Sequence, residues 1–160
     1  MNDNYKVEPD DKLFRWLHPS QFIWKESRAT SAGFSNDYLS IDITKLTTLD
    51  ESFIRAKKNG NNAIVSFEAK VAFDKDQKVH HCPVMSCKET GEDICTVDIG
   101  CVNYKNDINL EELNSVNSAH GCVVGKKTKS VQRHFANNCT VEIYPPAPPI
   151  TEIPEKDPTD

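Results

Sequence analysis

Between residues 63 and 73 every second residue is apolar. Ala63, Val65, Phe67, Ala69, Val71 and Phe73 share one side of an extended chain, and Ser66, Glu68 and Lys70 share the other. This is the clearest strand signal in the protein. Ile64, Phe67, Glu68 and Val71 also carry a helical spacing, but the β-branched and aromatic content favours the strand. A turn at 74–77 then returns the chain as a second strand over 78–83.

The flanking sequence supplies partners for that strand. Lys12–Leu17 reads as a short strand closed by the His18-Pro19 step, and residues 21–24 are apolar but short. Residues 28–35 and Tyr38–Ile43 read as extended. In the latter, Leu39, Ile41 and Ile43 alternate with Ser40 and Asp42. Residues 48–58 form a helix pattern. Thr48 is a cap, Asp50 and Glu51 lie in the first turn, Lys57 and Lys58 in the last, and Asn59-Gly60 is the stop. Residues 119–125 are a compact apolar strand leading into Lys126-Lys127-Thr128-Lys129. A helix over 130–137, ended by Asn138, and a last strand over 140–144 follow. The expected fold is α+β, with a small, mostly antiparallel sheet of about five strands and two or three helices.

A chain of 160 residues suits one domain. Residues 1–10 are polar and read as a flexible leader. Residues 145–160 hold six of the nine prolines and four acids, the composition of a disordered or polyproline-like tail and a candidate docking peptide for a protein partner. The expected domain therefore spans 11–144. No apolar run is long enough to span a membrane, and the N-terminus lacks the pattern of a signal peptide. A cytoplasmic location with six reduced cysteines is the expectation. The net charge of −5 argues against binding to nucleic acid through overall charge, while leaving room for a local basic patch.

Several segments together resemble a family of small, largely uncharacterised bacterial proteins. They are Leu13-Phe14-Arg15 with His18-Pro19, Arg28-Ala29-Thr30-Ser31-Ala32-Gly33-Phe34, and Leu39-Ser40-Ile41-Asp42, followed by Val65-Ser66-Phe67 and residues 79–83. The most specific piece is N-x-A-H-x-x-V-V-G-K-K-T, from Asn117 to Thr128. The resemblance covers about residues 12–135 and supplies residues rather than an activity. In such relatives the segment at 79–83 is expected to run almost directly into the N-x-A-H strand. Here residues 84–116 intervene and read as a peripheral insertion between neighbouring strands. An early Arg, a Ser-bearing strand and a compact sheet also resemble the ADP-ribosyltransferase plan, but the catalytic acid of that plan has no clear counterpart.

The candidate site residues are polar groups set among apolar strands: Arg15, His18, Ser31, Ser40, Asp42, His81, His120 and Lys126. His81 and His120 facing one cleft would suit metal-independent phosphodiester or nucleotide chemistry. One imidazole removes a proton and the other protonates the leaving oxygen, while Lys126 or Arg15 stabilises the developing charge. Arg15 and Asp42 would otherwise form a buried ion pair. The Gly125-Lys126-Lys127-Thr128 turn ahead of a helix offers N–H groups and positive charge to a phosphate, without the spacing of a Walker loop. Two readings follow. One is a pocket for a nucleotide, RNA or other phosphate-containing ligand that needs no cofactor. The other is a non-catalytic interaction module. For the second, His80, His81, Cys82, Cys87, Cys95 and Cys101 are candidate ligands for a structural zinc, although no C-x2-C knuckle occurs.

Overall fold

The computed structural model describes residues 4–100, 103–106 and 108–147. Its strands are β1 (Lys12–Leu17), β2 (Phe22–Ile23), β3 (Arg28–Ala29), β4 (Tyr38–Ile43), β5 (Ala63–Glu68), β6 (Lys78–His81), β7 (Val84–Cys87), β8 (Asp93–Cys95), β9 (Leu113–Asn117), β10 (His120–Val124) and β11 (Thr140–Ile143). The helices are α1 (Leu49–Lys58), α2 (Ala69–Phe73) and α3 (Lys129–Asn137). Six strands make an antiparallel sheet in the order β11-β5-β1-β4-β10-β6. A β2-β3 ribbon and a small β8-β7-β9 sheet complete the α+β architecture.

The two faces of the large sheet differ in chemistry. Leu13, Leu17, Leu39, Ile41, Ile43, Val65, Phe67 and Val123 lie on one face, buried beneath α2, α3 and the turn Ser31–Phe34. Phe34 and Phe135 stack there with centroids 5.6 Å apart, and Phe67 meets Phe135 edge-on at 5.1 Å. The other face carries Trp16, Ser40, Asp42, His120 and Cys122. There α1 is seated by the expected Thr48 cap, which the structure extends to a capping box: Thr48 Oγ1 accepts from the Glu51 amide, and Glu51 reaches back to the Thr48 amide. Gly60 ends the helix region at a φ of +79°.

The strand expected over 63–73 ends at Glu68. That residue pairs with Lys12, the first residue of β1, so beyond it the chain has no partner strand there. Residues 69–73 take up their latent helical spacing instead. The Ala69 and Lys70 amides donate to the carbonyls of Asp11 and Pro9. The same contacts secure residues 4–10, which composition alone assigns to a leader. Val7 is buried, and the buried Asp11 carboxylate accepts from Tyr5 Oη at 2.7 Å and the Glu8 amide at 2.8 Å, with Lys45 Nζ 2.9 Å away. The extended segment expected over 28–35 is only the two-residue β3, after which Ser31–Phe34 coils into a 3-10 turn.

The segment at 84–116 is an elaborated hairpin tip. β6 pairs with β10, β7 pairs with β9, and the two ladders follow one another across a kink at Cys82-Pro83. β8 then adds to β7, and Ile94, Cys95 and Leu113 are buried apart from the main core cluster. Of the expected tail, residues 148–160 lie outside the described residues. Among the described residues no helix is long and apolar enough to cross a membrane.

Candidate functional site

β1 and β4 pair at Leu13–Ile43 and Phe14–Asp42 and then separate. Beyond that point β1 pairs only with β5 and β4 only with β10. The sheet is thus parted along its middle, and the gap opens into a cavity of about 340 Å³. Its walls are Arg15, Trp16, His18, Gln21, Ser40, Ile41, Asp42, Asn59, Asn61 and His120. Five of the residues singled out in the sequence meet here: Arg15, His18, Ser40, Asp42 and His120.

The parting of the strands determines how Arg15 is held. The Ser40 carbonyl, which a continuous ladder would use, accepts from Arg15 Nη1 at 3.2 Å, and Arg15 Nε donates to the Gly33 carbonyl at 3.0 Å. Among the described residues no carboxylate pairs with this guanidinium. Burial lowers its pKa to about 10, so it remains a cation at neutral pH.

Asp42 pairs with a different arginine from the expected one. Its Oδ2 accepts from Arg55 Nη2 and Ser52 Oγ, each at 2.8 Å, and its Oδ1 accepts from Asn117 Nδ2 at 2.8 Å. Ser52 Oγ in turn accepts from Trp16 Nε1 at 2.8 Å. Asp42 is therefore a satisfied hub that fixes Trp16 and α1, rather than an open carboxylate.

His120 is one of two imidazoles that line the cavity. Its Nδ1 lies 2.7 Å from the Cys82 carbonyl, which only accepts, so Nδ1 carries the proton and Nε2 holds the lone pair in the neutral ring. Burial lowers its pKa, with His81 acting in the same direction and the Cys82 carbonyl and Asp42 opposing it. The neutral form is favoured at pH 7. Gly121 allows this close packing, because a Cβ there would stand 2.7 Å from the His80 carbonyl and 2.8 Å from Ile41 Cδ1. His18 stands across the cavity. Its Nδ1 accepts from the Ser20 amide at 3.2 Å in a capping arrangement.

The expected His81–His120 pair does not form. Their strands are neighbours, but His81 stands opposite Gly121, so its side chain points to the other face from His120. There the Tyr5 amide donates to His81 Nδ1 at 2.9 Å and His81 Nε2 donates to the Ser118 carbonyl at 2.8 Å. Both ring nitrogens are therefore engaged, Nδ1 in holding the N-terminal segment and Nε2 in holding the turn between β9 and β10. Ser31 is buried in its turn and does not line the cavity.

The basic turn is likewise structural. Lys127 is 5% exposed, and its Nζ donates to the carbonyls of Val123 at 3.0 Å, Gly125 at 2.8 Å and Asp37 at 3.3 Å. Burial lowers its pKa to about 8, opposed by Asp37 and Cys122. Thr128 Oγ1 caps α3 by accepting from the Val131 amide. Lys126 is exposed and outside the cavity. Of the zinc candidates, Cys82 and Cys95 touch, Cys87 lies on β7 and Cys101 is outside the described residues. Among the described residues no three His, Cys, Asp or Glu side chains are grouped to hold a metal.

Trp16, Gln21, Asn59 and Asn61 were not flagged by sequence. Asn59 carries the signal of a helix stop, and only the structure shows that it walls a cavity together with Asn61. No protein-family model matches this chain, and no curated protein and no solved structure matches it.

Proposed function

We propose that the cavity between β1 and β4 binds a phosphate-containing ligand, with a nucleotide as the class that fits best. The observation that carries this is Arg15: a cation in a polar cavity wall, with donors to spare and, among the described residues, no carboxylate paired with it. Such a group is costly to leave unmatched, and a phosphate satisfies it with paired hydrogen bonds. Trp16 supplies an aromatic surface held by Ser52, and Gln21, Asn59 and Asn61 supply amide donors and acceptors suited to base edges. His120, neutral with Nε2 unprotonated, has the form of a general base, and His18 is the second imidazole of the cavity. Catalysis at a phosphodiester or nucleotide bond would use these two, in place of the His81–His120 pair. Arg15 with His18, Ser40 with Asp42, and His120 come from three separate stretches of the sequence, and their convergence supports one site.

The test is a melting scan of the full chain with AMP, ADP, inorganic phosphate and a short RNA. A ligand that binds only the native state raises the Tm with concentration. A rise with a nucleotide supports the reading, and no rise with any of the four contradicts it.

A second reading rests on a different surface. Trp24 Nε1 donates to the Pro146 carbonyl at 3.2 Å, and Tyr144 stacks on Trp24 with centroids 6.0 Å apart. The start of the proline-rich segment thus already lies on an aromatic platform, the contact by which polyproline chains are recognised. This favours an interaction role for residues 145–160, which the full-length chain and a chain ending at 147 would distinguish in a pull-down.

A further inference from the structure

We infer that Cys82 and Cys95 are an oxidisable dithiol, a modification site at which a hydroperoxide forms a disulfide between the kink of the edge hairpin and the added strand β8. The two sulfur atoms lie 2.6 Å apart, and both residues are buried, at 2% and 4% exposure. A disulfide needs sulfurs about 2.05 Å apart and Cα atoms within about 7 Å. The backbone favours such closeness, because Cys95 pairs with Val84, two residues beyond Cys82. Cys95 is also held from both sides, its amide donating to the Asn103 carbonyl and its own carbonyl accepting from Lys105.

Cys139 and Cys87 stand in different surroundings. Cys139 donates to the Ala136 carbonyl, and burial raises its pKa to about 11, which suppresses the reactive thiolate. Cys87 lies partly exposed on β7, where hydrogen bonds from Thr90 and the Glu89 amide lower its pKa.

The reaction balances with a peroxide as oxidant. One thiolate attacks a peroxide oxygen, takes it as a sulfenic acid and releases one water after proton uptake. The second thiol sulfur attacks the sulfenic sulfur, forms the S–S bond and expels the hydroxyl, which leaves as a second water with the remaining thiol proton. Two thiols are oxidised by two electrons, and one peroxide is reduced to two waters. The cross-link closes a loop from 82 to 95 and restricts the unfolded chain. It also locks the residue whose carbonyl accepts from His120 Nδ1 and whose amide donates to the His120 carbonyl. The bond itself is independent of any ligand in the cavity.

The experiment treats the full chain with hydrogen peroxide, blocks remaining thiols under denaturing conditions and maps peptides by mass. The expected result is loss of two hydrogens, a cross-linked peptide joining Cys82 to Cys95 and a Tm rise of about 5 °C that dithiothreitol reverses. The single variants Cys82→Ser and Cys95→Ser should lack that peptide and the rise. Wild-type mapping does not depend on either variant folding. The inference is overturned if oxidation adds oxygen at these cysteines without joining them, or joins either one to another cysteine. Stoichiometric zinc in the purified protein, released as the thiols oxidise, would also overturn it by making the pair metal ligands.

Discussion

Lys127 and Arg15 are both cations drawn into the fold, and counting donors separates them. A lysine ammonium has three N–H donors, and Lys127 places them on three backbone carbonyls, two at the end of β10 and one, of Asp37, ahead of β4. A guanidinium has five, and Arg15 uses two of them on protein acceptors. Among the described residues the other three have no protein acceptor, and Arg15 lines a 340 Å³ cavity shared with His18 and His120. A buried cation with no donors left closes a structure, whereas one with donors to spare beside a cavity has the chemistry to accept an anion.

The largest effect expected from this contrast is on folding. Lys127→Met removes three hydrogen bonds from a buried ammonium to the carbonyls of Val123, Gly125 and Asp37, and should cost about 3–5 kcal/mol in denaturant unfolding. A loss under about 1 kcal/mol would return Lys127 to the set of ligand-binding candidates. Asp42→Asn should cost about 2–3 kcal/mol, because it deprives Arg55 of its anion. The cost stays below that of a fully buried pair, since the Arg55 side chain keeps 22% exposure. Arg15→Gln should cost only about 1–2 kcal/mol, the worth of two hydrogen bonds to carbonyls.

These contrasts mark where the sequence was legible. β1 and β4 have the expected limits because their alternation is local, and α1 follows from the Thr48 cap, the first-turn acids and the Asn59-Gly60 stop, which are local too. The position of His81 was not legible. Alternation says that neighbours in a strand face opposite ways, but the pairing of His81 with Gly121 decides which way, and register is a non-local property. The same holds for 63–73, where the pattern continues past Glu68 although the partner strand begins at Lys12. Two adjacent lysines look alike in sequence, yet Lys126 is exposed and Lys127 is buried. The cavity depends on the parting of β1 from β4, which no local pattern encodes.

The smallest effect expected is a pH dependence at His120. Its pKa is lowered in the folded state, so the unfolded chain takes up the proton first as the pH falls. Stability contributed by the neutral ring is therefore present above about pH 6.5 and lost as the pH drops below it. His120→Gln should flatten that part of the stability–pH curve, measured by urea unfolding from pH 5 to 8. An unchanged slope would show that His120 is not held neutral.

The most direct test of the account is calorimetric titration of AMP into wild type, Arg15→Gln and Lys126→Gln at pH 7. The account predicts measurable binding by wild type and by Lys126→Gln, with affinity reduced at least tenfold in Arg15→Gln while its unfolding transition stays cooperative. Equal binding by wild type and Arg15→Gln, or a loss caused by Lys126→Gln instead, would contradict the assignment of the parted sheet as the anion site.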